Sequence, residues 1–86
     1  MKKKVVTDSI YSDSNAFRVL GRHLIVELYA CAPKLLNRID LLKQALVEAA
    51  NAAGATVVES VFHRFSPQGL SGVVVITESH ITVHTW

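Results

Sequence analysis

The chain has 86 residues, half of them hydrophobic, with nine Lys and Arg against seven Asp and Glu and a formal net charge of +2. That length allows one small domain with little buried core, so the hydrophobic surplus points to apolar surface finished by further sequence or by a partner subunit. Three of the nine basic residues sit together at Lys2, Lys3 and Lys4, a solvated tail and not a groove, which speaks against a nucleic-acid partner.

Residues 1–20 carry Ser, Asp, Asn and Lys with little periodicity and read as a flexible N-terminal extension. The opening MKKKVV resembles a signal-peptide n-region, but Thr7-Asp8-Ser9 interrupts it before any adequate apolar stretch. From His23 the pattern alternates, with Leu24, Val26 and Leu28 on one face and Ile25, Glu27 and Tyr29 on the other, which predicts a strand. Cys31 follows it as the single cysteine; no internal disulfide is possible, and a reducing cytoplasm is the expected setting. With no base beside it, Cys31 reads as a small buried hydrophobe.

Pro33 suits the first turn of a helix. Leu35, Leu36, Ile39, Leu42, Leu46, Ala49, Ala50 and Ala53 then recur at three- and four-residue steps, an amphipathic helix that Gly54 terminates. A second strand is predicted over Thr56–Phe65, with Val57, Val61 and Phe65 on one face and Val58 and Phe62 on the other. Pro67 to Gly69 forms a turn. Gly72–Thr77 is apolar on both faces and should be a central strand; its run Val73 to Ile76 is far too short to cross a membrane. A break at Glu78 precedes a last strand, Ile81–Thr85. The order β-α-β-β-β predicts an α+β two-layer sandwich, an antiparallel sheet with a helix on one face, over residues 21–86.

Four histidines, His23, His63, His80 and His84, invite a catalytic or metal reading. His80 and His84 share strand parity and could bracket an ion. They lack a helical His-x-x-x-His spacing and a carboxylate at ligand distance, so hydrogen-bonded histidines without metal are expected. Ser79 and His84 suggest an activated nucleophile, yet there is no G-x-S-x-G and no orienting carboxylate. Five residues of strand span roughly 16 Å at about 3.3 Å each, and odd spacing puts the two side chains on opposite faces. Either that strand is broken or the partner of Ser79 comes from another subunit. By composition alone Phe65 and Tyr29 read as core aromatics.

GRHLIVELYAC at residues 21–31, GATVVESVFHRFSPQGLSGVVVITESHITVHTW at residues 54–86 and the helix between them resemble the prokaryotic S-adenosylmethionine decarboxylase proenzymes. The resemblance implies a cytoplasmic, pyruvoyl-dependent enzyme that takes CO₂ from S-adenosylmethionine to make the aminopropyl donor of spermidine synthesis. In that family the serine of the Glu-Ser pair, here Ser79, attacks the preceding carbonyl; the chain separates after Glu78 and Ser79 becomes the pyruvoyl group, which forms a Schiff base with substrate. By matching positions, Ser71 and His84 resemble the processing residues, Phe65 an aromatic that stacks on adenine, and Tyr29 a residue for its opposite face.

The family works as a homodimer of αβ units with sites at the interface. The expectation is therefore that Ser79 of one protomer is served by Ser71, His84 and Phe65 of the other. The family also continues past His-Thr-Trp, to a ribose-binding glutamate and a proton-donating cysteine that Cys31 does not match. The chain is thus expected to be a truncated form without full activity. The alternative from another class is a catalytically silent regulatory or binding module that pairs with an active paralogue.

Overall fold

A computed structural model describes residues 2–11 and 19–86, in the order β1 (Lys2–Tyr11), β2 (Val19–Tyr29), α1 (Pro33–Leu36), α2 (Ile39–Ala52), β3 (Val57–Arg64), β4 (Leu70–Ile76) and β5 (Ser79–Thr85). They fall into two units, Met1–Cys31 and Ala32–Trp86.

The first unit is an antiparallel pair. β1 runs against β2 from Lys2↔Tyr29 to Ile10↔Gly21, with an irregularity between Ile10 and Tyr11. A strand therefore stands at Lys2–Tyr11, inside the segment that the sequence reads as an unstructured extension. Main-chain pairing with β2 supplies an order that no side-chain periodicity advertises. β2 likewise starts at Val19, ahead of the predicted His23. The remainder of the presumed extension, residues 12–18, lies outside the described residues.

The second unit has the predicted α+β architecture: an antiparallel sheet in the order β3-β4-β5, with α2 packed on β3 and β4. The register explains which side chains meet the helix. Phe62↔Gly72↔Val83, Ser60↔Val74↔Ile81 and Arg64↔Leu70↔Thr85 form cross-strand rows, and residues in one row share a face. Leu70 and Val74 are fully buried on this side, as is Ala50 of α2. A Cβ on Gly72 would overlap the Phe62 ring, so a glycine there lets an aromatic lie flat on the central strand. β4 is the apolar central strand that its composition predicts.

The single predicted helix is two. Asn37 (φ −101°, ψ 11°) and Arg38 (φ −104°, ψ 104°) interrupt it. The break frees carbonyls that a continuous helix would use, and the sheet takes them. The Thr85 hydroxyl donates to Leu36 O at 3.1 Å, and Arg64 Nη2 donates to Asn37 O at 3.1 Å. Its far end follows the prediction: Gly54 takes φ 78°, Ala55 N–H donates to Ala50 O and Gly54 N–H to Asn51 O, each at 3.0 Å. That paired arrangement is a Schellman cap. The buried stripe is narrower than expected, since Leu35, Ala49 and Ala53 are exposed.

Candidate functional site

The sheet face away from α2 carries the rows His63↔Ser71↔His84, Val61↔Val73↔Thr82 and Glu59↔Val75↔His80. In the first row Ser71 Oγ and His84 Nδ1 are hydrogen-bonded at 2.9 Å. Phe65, just past β3, turns its ring edge-on to His63, with centroids 4.6 Å apart and planes at 65°. Ser71, His84 and Phe65 border a cleft of about 320 Å³, lined also by Gln68, Thr85 and Trp86. Three of the residues singled out by resemblance, Phe65, Ser71 and His84, therefore meet at one end of the β4–β5 ladder. A half-exposed aromatic, a hydroxyl and an imidazole can stack on a planar ring, donate a hydrogen bond and accept a proton.

The cleft floor is held from below. Phe65 N–H donates to Gly69 O at 2.8 Å across the β3–β4 connection, which contains a cis Ser66–Pro67 peptide. Gly69 takes φ 97°, and a Cβ there would lie 2.8 Å from Thr85 O, so the turn requires glycine. Gly69 N–H donates to Asn37 Oδ1 at 3.3 Å, and Leu70 N–H to Thr85 Oγ1 at 3.0 Å. Asn37, Gln68, Thr85 and Trp86 are contributors that the sequence reading missed. The signal for Thr85 lay in the register: a two-residue turn after Ile76 sets it opposite Leu70.

Glu78 and Ser79 lie at the other end. Ile76↔Ser79 closes the hairpin around Thr77 and Glu78. Such short hairpins favour Asn-Gly turns; this one is tied to the start of β3 instead. Thr77 N–H donates to Thr56 O at 3.0 Å, and Thr56 N–H to Glu78 Oε1 at 3.3 Å. A Thr77 hydrogen bond, with main-chain N–H groups of Glu78 and Thr56, holds the Glu78 carboxyl below its ordinary range. Ser79 Oγ lies 3.1 Å from His80 Nδ1. β5 is unbroken from Ser79 to Thr85, so Ser79 and His84 of one chain stay apart, as their spacing requires.

Tyr29 belongs to the first unit. Its hydroxyl donates to Glu27 Oε2 at 2.7 Å, and this bond, with the carboxylate's charge, raises the phenol above its usual range. Among the described residues no three His, Cys, Asp or Glu side chains group as metal ligands. No described helix is long and apolar enough to cross a membrane.

Known proteins with similar sequences agree on one family. The family model described as S-adenosylmethionine decarboxylase matches residues 22–86. An S-adenosylmethionine decarboxylase proenzyme of Caldicellulosiruptor saccharolyticus is 60% identical over 67 residues, 78% of this chain and 54% of the relative. Proenzymes of the same name are 55% identical in Thermotoga maritima, covering 52% of that protein, and 54% identical in Clostridium kluyveri, covering 53%. The chain spans about half the length of the curated relatives it matches. With the family model covering most of β2 and the whole second unit, and with relatives more than half identical, the chain belongs to the S-adenosylmethionine decarboxylase family.

Proposed function

We propose that this chain carries the self-cleaving half-site of a pyruvoyl-dependent S-adenosylmethionine decarboxylase, cut between Glu78 and Ser79. The observation that carries the reading is the separation of its parts. Ser71 and His84 are hydrogen-bonded at one end of the β4–β5 hairpin while Ser79 begins β5 at the other. A serine and the residues that process it cannot meet within one copy of such a ladder, so the site is completed between two copies.

The residues present fit formation of a pyruvoyl group. Ser79 is exposed, its hydroxyl is one residue from the Glu78 carbonyl, and the peptide follows a turn that Thr56 ties down through the Thr77 N–H and the Glu78 carboxyl. Once formed, such a group supplies an electrophilic carbonyl and an electron sink for decarboxylation. The partner's Ser71 hydroxyl donates to the scissile carbonyl, and the partner's His84 takes the Cα proton of Ser79 as the ester between the two fragments is eliminated. Phe65, which lines the cleft, stacks on the adenine of S-adenosylmethionine. The product of the whole enzyme is the aminopropyl donor for spermidine synthesis.

Mixing Ser79→Ala chains with His84→Ala chains tests the arrangement. Each mixed dimer holds one site with both groups intact, so cleavage after Glu78 should return in the mixture and appear in neither variant alone. Restoration is read by intact mass, together with a pyruvoyl-blocked fragment beginning at position 79. If the unmixed parent cleaves and the mixture does not, the shared site is wrong. A parent that stays whole yet dimerises favours a silent partner of an active paralogue instead.

A further inference from the structure

Self-cleavage of the kind proposed needs two separate proton transfers, and the structure separates two histidines to match. Ser79 Oγ must lose its proton to attack the Glu78 carbonyl, and a serine hydroxyl at its ordinary acidity is a weak nucleophile without an adjacent base. His84 is engaged with Ser71 at the far end of the ladder. His80 Nδ1 lies 3.1 Å from Ser79 Oγ within the same chain, inside the reach expected of a general base.

We propose that His80 is the catalytic base of the first step, acting in its own protomer, with His84 of the partner left to serve the second. The assignment rests on the self-cleavage reading above. With its proton on Nε2, the His80 ring accepts the Ser79 hydroxyl proton at Nδ1 as Oγ bonds to the Glu78 carbonyl carbon. The five-membered adduct then collapses: the bond from that carbon to the Ser79 nitrogen breaks, and the nitrogen takes the proton back from His80. The result is an ester joining Glu78 to Ser79 Oγ and a free amine on Ser79. Atoms and charge balance, and no outside reagent is consumed.

Two features of the turn favour this role over a chance contact between neighbours. Adjacent strand residues ordinarily point to opposite faces, yet this pair meets at the first residue of β5, directly after the scissile peptide. Thr56 braces the turn just ahead of that peptide, through the Thr77 N–H and the Glu78 carboxyl, and the attacking oxygen, its base and the carbonyl lie on one short segment.

The test is made in a His84→Ala background, where elimination is slowed and the ester accumulates. Hydroxylamine then cuts the chain at the ester, and the cut fraction is followed by intact mass. Adding His80→Ala should slow ester formation by roughly 100-fold or more, the size of a general-base contribution, and added imidazole should restore part of it. His80→Gln, which retains a polar side chain without a base, should be as slow. His80 is exposed, and circular dichroism of both variants confirms the fold. Equal rates with and without His80, or a normal rate in His80→Gln, overturn the assignment while leaving self-cleavage standing. A parent that forms no hydroxylamine-labile ester and keeps its full mass overturns the self-cleavage reading, and this assignment with it.

Discussion

Single hydrogen bonds decide how this unit holds the two ends of its β4–β5 hairpin. Thr85 serves the cleft end: its hydroxyl accepts from Leu70 N–H and donates to Leu36 O. Thr85→Val keeps the shape and leaves both main-chain groups without that partner, so a loss of about 1–3 kcal/mol is expected, measured as a lower urea midpoint. Glu78 serves the turn end. Its carboxyl is held low because donors from Thr77, its own main chain and Thr56 favour the ionised form. A depressed carboxyl contributes stability that is present above the ordinary carboxylate range and lost as pH falls through the folded-state value. The parent should therefore lose more stability than Glu78→Gln between pH ~6 and pH ~3, compared by urea midpoints at each pH. Equal losses would show that the Thr56 contact contributes nothing through charge.

At the scale of elements, the central strand is where packing is least forgiving. Gly72→Ala places a methyl group in the Phe62 ring, and overpacking of this kind costs about 1–3 kcal/mol. Adding Phe62→Leu should return part of the loss, because the two positions share one space and their effects will not add. Much of this unit was legible beforehand: α2 from its three- and four-residue steps, its end from Gly54, and β4 from an unbroken apolar run. The break at Asn37 and Arg38 was not, because it answers to Thr85 and Arg64, which lie far along the chain. Neither was β1, whose order comes from main-chain pairing with β2. For the site, parity alone was enough to keep Ser79 from His84. The meeting of Ser71 with His84 needed the register. Placing the last strand from Ile81 left the turn length open, whereas Ile76↔Ser79 sets every pair down the ladder.

For the whole molecule the question is what finishes a core this small. Among the described residues Ala50, Leu70 and Val74 are the buried hydrophobic ones, whereas Val61 is 54% and Phe65 48% exposed on the sheet face away from α2. Ser71 and His84 lie on that face in register with His63. A second copy seated there would cover apolar surface and bring a foreign Ser79 to the cleft in the same act, so association and processing should be lost together. If folding is coupled to dimerisation, each tenfold rise in concentration adds about 1.4 kcal/mol to the dimer. For a pair of this size that raises the melting temperature by about 3–5 °C. Val61→Lys puts a charge on the exposed face without touching the α2 side. It should abolish both the concentration dependence and cleavage after Glu78. A parent whose melting temperature ignores concentration, or a Val61→Lys chain that cleaves at the parental rate, would mean that this face does not join the two copies.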